Sequence, residues 1–226
     1  MLRQATIVFD LDGTLVDTAP DLSNALHDVM TRRGHAPVPA ATVRACVGHG
    51  ARVMIDQALR QAGAADDIDQ MLAEFLIDYE ANIAAESRPF PGAGAALESL
   101  ADQGATLAVC TNKREYLSRK LLHELDLAHY FSGLAGRDTF GFSKPDPRHL
   151  TEVIALAGGE PSRAVMVGDS EVDLATAQAA AIPMVLVSFG YANGPLEALQ
   201  AEARIDHFDE LEAHVASLLN GLSPPA

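Results

Sequence analysis

The chain has 226 residues, 48% of them hydrophobic, and a formal net charge of −15 at pH 7. This length allows one large domain or a core with an insert, and the acidity argues against nucleic acid or an anionic membrane as a partner. No apolar run approaches membrane-spanning length, and an apolar strand near residue 5 leaves no room for a secretory signal. Two cysteines make no disulfide framework, so a cytoplasmic location is expected, with monomer and homodimer equally open.

The first predicted element is a buried strand over Ala5–Phe9, which is rich in β-branched and aromatic residues. Asp10 and Asp12 follow it directly, and Gly13 marks the turn that ends it. Ligands of open α/β sheets bind at the carboxyl ends of strands, and hard oxygen ligands there suit Mg²⁺. A calcium loop does not fit, because the twelfth residue counted from Asp10 is Asp21 rather than glutamate. The string therefore predicts chemistry on phosphate that depends on magnesium.

Helical periodicity dominates the chain from about residue 20 to residue 87. Predicted helices span residues 20–33, 40–47, 50–62 and 66–87, and no strand is evident among them. Pro20 and the Pro89–Gly92 segment bracket this stretch as candidate hinges. We therefore predict a helical cap at residues 17–88, called the helical insert below, and an α/β catalytic core formed by residues 1–16 and 89–226.

Strands and helices alternate in the remainder of the chain. Strands are predicted at residues 106–111, 133–136, 164–168 and 183–188, and helices near 92–102, 114–125, 147–158 and 171–180. This alternation predicts a parallel sheet with helices on both faces. The predicted fold class is α/β, a doubly wound parallel sheet (a Rossmann-like core) with the helical insert placed after its first strand.

Two polar residues, Thr111 and Asn112, end the second strand of the predicted core, where a hydroxyl and an amide could hold phosphate oxygens. The same string also fits a capping box between Asn112 and Glu115 at the start of the next helix. Taken alone, this spacing favours the capping role over a role in binding.

Lys144 stands in a proline-rich turn, and it is one of only three lysines against thirteen arginines. An exposed lysine would be the simplest interpretation of such a turn, with Asp146 as N-cap and Pro147 at the first helical position. That interpretation leaves the lysine itself unexplained. A lysine in a chain that otherwise uses arginine indicates a need for a compact point charge.

Asp169 and Asp173 follow the strand at 164–168 and are four residues apart at a helix start, so both can face one site. Ser170 and Asp173 also match a capping box. The two roles are compatible, because a helix N-terminus favours negative charge.

These strings, in this order and each at a predicted strand end, resemble the haloacid dehalogenase-like phosphatases over the whole chain. The Asp10–Thr14 string, DLDGT, is the most specific element. The resemblance implies an aspartyl-phosphate mechanism with Asp10 as nucleophile, Asp12 as acid and base, and Thr111 and Lys144 at the phosphoryl group. It also implies Mg²⁺ held by the Asp10 carboxylate, the Asp12 backbone carbonyl and Asp169, with Asp173 supporting the metal directly or through water.

Within this family, three strings look like bacterial 2-phosphoglycolate phosphatases: Asp17–Leu22, Val47–Ala51 and Val187–Tyr191. The likeness implies a small phosphorylated metabolite as substrate, with 2-phosphoglycolate the best single expectation. Asn112 would hold the phosphoryl group, and His49 or Arg52 would meet the substrate carboxylate. A surface histidine and an exposed helix arginine are the structural alternatives for the latter two.

Two departures from that pattern keep other substrates open. Glu171 and Val172 stand where such enzymes often have arginine and asparagine, and Gly141–Ser143 is less basic than usual before Lys144. Phosphatases acting on sugar or amino-sugar phosphates, or on pyrophosphate, share the same catalytic set. A non-catalytic metal-binding regulatory domain is disfavoured, because it would not need Lys144.

Overall fold

A computed structural model describes residues 2–192 and 195–221 of the chain. Within them lie eight strands: β1 (Thr6–Phe9), β2 (Val16–Asp17), β3 (Arg88–Pro89), β4 (Thr106–Cys110), β5 (Gly133–Ala135), β6 (Ala164–Gly168), β7 (Met184–Val187) and β8 (Ala203–Ile205). The helices are α1 (Ala19–Arg32), α2 (Ala40–Arg44), α3 (Ala51–Ala62), α4 (Ile68–Ala81), α5 (Ala93–Asp102), α6 (Glu115–Glu124), α7 (Pro147–Leu156), α8 (Glu171–Ala179) and α9 (Leu211–Gly221).

Six strands form one parallel sheet in the order β5-β4-β1-β6-β7-β8. Strand β1 lies near the centre and is buried along its whole length, as its continuous apolar sequence predicts for a parallel strand covered on both faces. Phe9 at its end is in register with Val109 of β4 and Val167 of β6. The loops after these three strands therefore leave the sheet side by side. The predicted α/β class is confirmed.

The helical insert contains α1–α4, which pack against one another. Its apolar centre includes Met54 and Ile55 from α3 and the stacked rings of Phe75 and Tyr79 from α4. The expectation of no strand in this stretch is wrong at its two borders, where β2 and β3 pair antiparallel. A two-residue pairing between distant segments has no local periodicity, so a sequence pattern does not reveal it.

Other elements also differ from the sequence prediction. The helix predicted over residues 66–87 ends at Ala81, and the missed elements β8 and α9 follow β7. The end of the predicted core range, residues 222–226, lies outside the described residues. None of the helices in the described part of the chain has both the length and the apolar character needed to cross a bilayer.

Candidate active site

The candidate site lies where β1, β4 and β6 end. Asp10 follows β1, Thr111 follows β4 and Asp169 follows β6, and all three are buried. A fourth segment, the turn before α7, brings in Lys144. The parallel register therefore gathers residues that are far apart in the sequence into one cluster.

Lys144 is buried between two carboxylates. Its Nζ lies 2.9 Å from Asp10 Oδ1 and 2.6 Å from Asp173 Oδ1. Burial acts to lower the pKa of Lys144, but the two carboxylates outweigh it and the pKa lies above its usual value, so the ammonium stays charged. The interpretation of Lys144 as an exposed turn residue is wrong. Asp146 caps α7 as predicted, because its side chain accepts a hydrogen bond from Arg148 N.

A third carboxylate, Asp169, lies beside the two that contact this ammonium. Oxygen atoms of Asp10, Asp169 and Asp173 all lie within 4.8 Å of one another. Burial raises the pKa of Asp10 to about 7 although Lys144 opposes the shift, and burial together with Asp173 and Asp10 raises the pKa of Asp169. One buried ammonium does not balance three buried carboxylates, so the cluster suits an additional cation with hard oxygen ligands.

Asp10 keeps one oxygen free for chemistry. Its Oδ1 accepts a hydrogen bond from Leu11 N at 2.7 Å and also faces Lys144. No hydrogen bond reaches Oδ2 from any residue that the structure describes. Because Asp10 lines the cavity described below, its unpaired oxygen is well placed to meet a substrate.

Asp173 has little free capacity. Its Oδ1 faces Lys144, while Oδ2 accepts from the hydroxyl and the backbone N–H of Ser170 at 2.6 and 3.1 Å. The predicted Ser170–Asp173 capping box is present. Asp173 thus holds Lys144 in place and caps the N-terminus of α8.

Asp169 is fixed by hydrogen bonds from two directions. Thr14 Oγ1 donates to its Oδ1 at 2.9 Å, and Tyr191 N donates to its Oδ2 at 2.7 Å. Gly13 passes close to this carboxylate with φ +86°, and a Cβ there would lie 2.5 Å from Asp169 Oδ2. The glycine of the DLDGT string is therefore required both by its backbone conformation and by the space that Asp169 fills.

The loop after β4 joins the core to the helical insert. Asn112 Nδ2 donates to Gly48 O and to Lys144 O, both at 3.1 Å, and its Oδ1 is buried without a hydrogen-bond partner. The expected capping box with Glu115 is wrong, because Arg114 is the N-cap of α6 and Glu115 N donates to Asp138. Long-range contacts of the amide replace the local capping bond.

Sequence reasoning did not include Lys113 among the site residues. Its Nζ lies 2.9 and 3.2 Å from the two carboxylate oxygens of Asp12 and 4.5 Å from the ring centroid of Tyr79, on the helical insert. The side chain is 5% exposed. The scarcity of lysine in the chain was the one sequence signal that could have identified it.

A cavity of about 470 Å³ lies between the helical insert and the core. Asp10, Asp12, Thr111 and Asn112 line it from the core. Among the described residues, four cations also line it: Arg52 from the insert, and Lys113, Arg114 and Arg137 from the core. The insert adds apolar side chains, namely Met54, Leu72, Phe75 and Leu76. In an acidic chain, this concentration of cations indicates a site for an anion.

The two residues of the insert proposed to recognise a carboxylate differ in position. Arg52 lines the cavity, but its Nη1 lies 2.5 Å from Asp69 Oδ1 and half of its side chain is exposed. Among the described residues, His49 is not part of the cavity wall, and its Nε2 lies 3.5 Å from Glu171 Oε1 on the core. Arg52 is therefore within reach of a ligand, whereas His49 connects the insert to α8.

The fold and this cluster define an α/β enzyme that handles phosphate at the carboxyl edge of its sheet. Comparison with known proteins identifies the family. Residues 7–187 match the model of the haloacid dehalogenase-like hydrolases. The chain is 47% identical over 221 residues to the phosphoglycolate phosphatase of Mesorhizobium japonicum, covering 96% of this chain and 97% of that protein. It is 44% identical to the one of Caulobacter vibrioides, covering 99% and 96%.

A solved structure gives the same result. The crystal structure of a predicted phosphoglycolate phosphatase from Haemophilus somnus 129PT has a TM-score of 0.88 and 28% identity, covering 94% of this chain and 98% of that one. This chain belongs to the haloacid dehalogenase-like hydrolase family. Within that family it is a phosphoric monoester hydrolase.

Proposed function

We propose that the protein is a magnesium-dependent phosphatase that hydrolyses a small phosphomonoester through an aspartyl-phosphate on Asp10, with 2-phosphoglycolate as its substrate and glycolate as product. The observation that carries this proposal is the free Oδ2 of Asp10, on a buried carboxylate that lines a cation-rich cavity and is held by Lys144. A buried nucleophile with a fixed ammonium beside it is arranged for covalent phosphoryl transfer.

The first half of the reaction joins the substrate to the enzyme. Asp10 Oδ2 forms a bond to phosphorus, and the bond from phosphorus to the leaving oxygen breaks. Asp12 donates a proton to that oxygen, which yields glycolate. Lys144 offsets negative charge next to the attacking carboxylate, and the Thr111 hydroxyl and the backbone N–H of Asn112 hold oxygens of the transferring group.

The second half releases phosphate. Asp12, now ionised, takes a proton from a water molecule, and this water attacks the aspartyl-phosphate. The bond between Asp10 and phosphorus breaks, and Asp12 is again protonated for the next cycle. Asp12 therefore serves as acid and then as base.

The Asp10 carboxylate, the Asp12 backbone carbonyl and Asp169 would hold Mg²⁺, with Asp173 supporting it. The surplus of buried carboxylates over ammonium groups fits a divalent cation with oxygen ligands. Such an ion, when bound, neutralises phosphoryl oxygens that Asp10 would otherwise repel.

The substrate is the finer part of the proposal. It is supported by the names of the relatives, by the match over nearly the full chain, and by the cations of the cavity. The second candidate is a sugar or amino-sugar phosphate. It is favoured by the apolar wall of the insert and by the volume of the cavity, which is larger than a two-carbon ester requires. The cytoplasmic location and the choice between monomer and homodimer stay predictions from the sequence.

The test is a substrate panel with Mg²⁺, comparing kcat/KM for 2-phosphoglycolate, sugar phosphates, amino-sugar phosphates, nucleoside monophosphates and pyrophosphate. We expect 2-phosphoglycolate to rank first and excess EDTA to remove nearly all turnover. Asp10→Asn is the matched inactive control, because the amide keeps the shape and loses the nucleophile. If another compound ranks more than about tenfold higher, the substrate is wrong, and undiminished turnover in EDTA contradicts the metal.

A further inference from the structure

Lys113 carries a buried positive charge for which the proposed catalytic cycle has no role. It extends from the loop after β4 and pairs with Asp12, while the face of the Tyr79 ring covers it from the helical insert. Burial acts to lower its pKa, but Asp12 and Tyr79 reverse the effect, so it remains an ammonium. A cation enclosed in this way interacts strongly with any anion that enters the cavity.

The pairing with Asp12 conflicts with the proposed work of that carboxylate. Lys113 donates to both oxygens of Asp12, at 2.9 and 3.2 Å. A general acid must direct one oxygen, carrying a proton, at the leaving group. Asp12 therefore has to give up at least part of its contact with Lys113 during the reaction, and the ammonium then needs another anionic partner.

Tyr79 supplies a second unsatisfied group at the same place. Its side chain lines the cavity beside Lys113, and its buried hydroxyl finds no acceptor for its proton among the described residues, because the neighbouring Lys113 ammonium can only donate. Burial raises the pKa of this hydroxyl to about 12, so it stays protonated and can donate. A buried donor of this kind usually has a partner in a native structure, which a bound ligand would provide.

We propose that Lys113, together with the Tyr79 hydroxyl, binds the second anionic group of the substrate, and that this exchange releases Asp12 for proton transfer. The inference rests on the proposed phosphatase function and places recognition of the substrate carboxylate at the junction of core and insert. An ester without a second anion leaves Lys113 on Asp12 and is turned over poorly for that reason. Recognition and activation are thus performed by one residue.

Other cations are less suited to this task. Arg52 is paired with Asp69 and is half exposed, so water weakens its attraction for an anion. Lys120, the third lysine of the chain, lies on α6, donates to Glu80 O and does not line the cavity. Lys120 is therefore a matched control, and the arginines of the cavity wall, Arg52, Arg114 and Arg137, are the competing candidates.

The test compares 2-phosphoglycolate with ethyl phosphate, which has a methyl group in place of the carboxylate. We expect Lys113→Met to lower kcat/KM for 2-phosphoglycolate at least about thirtyfold, in the range of a lost charge-assisted hydrogen bond. The value of kcat/KM for ethyl phosphate should stay equal or rise, because Lys113 no longer holds Asp12. Tyr79→Phe should raise KM for 2-phosphoglycolate alone by about threefold or more. Lys120→Met should leave both substrates unchanged.

Equal losses on both substrates in Lys113→Met would overturn the inference, because Lys113 would then only support Asp12. A selective loss in Arg52→Ala with none in Lys113→Met would overturn it as well. Should Lys113→Met not fold, Tyr79→Phe decides, and an unchanged preference between the two esters rejects the inference.

If the proposed substrate is wrong, the substrate panel with the wild-type enzyme shows it without any variant. If the panel favours another ester with a second anionic group, the variants are compared on that ester and on an analogue that lacks only the second anionic group. If wild type shows no preference for any ester with a second anion, both the substrate and the role of Lys113 are rejected.

Discussion

Lys144 shows how much a single side chain decides in this site. Its ammonium touches Asp10 and Asp173, and its side chain is 2% exposed. The contact links the nucleophile to the start of α8, so Lys144 contributes to both the charge and the orientation of Asp10. The scarcity of lysine in the sequence predicted that a compact point charge is needed here, and the structure identifies Asp10 and Asp173 as its partners.

Lys144→Arg should be a severe defect although it keeps the charge. The planar guanidinium is wider than an ammonium and does not fit between two carboxylates in a closely packed site. We expect kcat to fall at least about a hundredfold, with a far-ultraviolet circular dichroism spectrum like that of wild type. Lys120→Arg is the control and should keep full activity. Activity of Lys144→Arg within about threefold of wild type would contradict this account.

The sequence predicted most of the cluster because its members follow strands whose apolar patterns are local. Asp10 and Asp169 could be placed in this way, whereas Lys144 was indicated by the scarcity of lysine and by the family resemblance. Asn112 was also predicted at a strand end, but the contacts of Lys113 and Asn112 could not be predicted, since their partners, Tyr79 and Gly48 among them, lie on the helical insert. A local sequence pattern does not predict contacts between the core and the helical insert.

At the level of elements, prediction succeeded where periodicity was long and failed where tertiary contacts end a helix. The helix predicted over residues 66–87 ends at Ala81. Past that point, Asp21 in the first turn of α1 accepts hydrogen bonds from Glu86 N, Ser87 N and the Ser87 hydroxyl. This buried carboxylate draws the chain away from helical geometry and ties the two ends of the insert together.

His149 in α7 is a buried residue that is neutral at physiological pH. Its Nε2 lies 3.1 Å from Gly136 O, a group that can only accept, so this nitrogen carries the proton. Its Nδ1 then faces Cys110 Sγ at 3.4 Å as an acceptor. Burial raises the pKa of the Cys110 thiol to about 12, so the thiol remains protonated and donates.

This arrangement predicts that the fold weakens in acid. Burial, and then the charge of Lys144, lowers the pKa of His149 from 6.5 to about 4. Between these values the unfolded chain binds a proton that the folded chain does not, so the free energy of unfolding falls as pH falls through this window. The contribution is full above about pH 6.5, and its loss approaches about 3 kcal/mol near pH 4.

Urea unfolding between pH 7.5 and 4.5 checks this expectation. His149→Gln should show a flatter decline of unfolding free energy than wild type, because the titrating ring is gone. His27→Gln, at an exposed position of α1, should follow the wild-type curve. Parallel curves for wild type and His149→Gln would show that another group causes the acid sensitivity.

At the scale of the whole molecule, several polar contacts connect core and insert. They include Asn112 to Gly48, Lys120 to the backbone of Glu80, and His49 to Glu171. Glu171 is one of the departures from the phosphoglycolate phosphatase pattern, and here it faces the insert. Polar contacts of this kind can be exchanged for water at low cost, which suits an interface that opens.

Opening is also required by access to the nucleophile. Asp10 is 3% exposed and Asp12 is 9% exposed beneath the insert. The chain passes from core to insert and back at the two short paired strands β2 and β3. We therefore predict that the insert moves as one unit about these strands, opening for substrate and closing to exclude water during the reaction.

Spin-label distances test this movement. Labels at Ile77→Cys on α4 and Leu156→Cys on α7, both exposed positions, report on insert and core, while Cys46 and Cys110 are buried and stay unlabelled. Without ligand the distance distribution should be broad. Mg²⁺ with 3-phosphonopropionate, a phosphonate that carries a carboxylate and cannot be hydrolysed, should narrow and shift it. The pair Tyr116→Cys and Leu156→Cys lies wholly in the core and should not change. An identical distribution for the first pair with and without ligand would contradict a moving insert, and substrate would then have to reach Asp10 through the closed cavity.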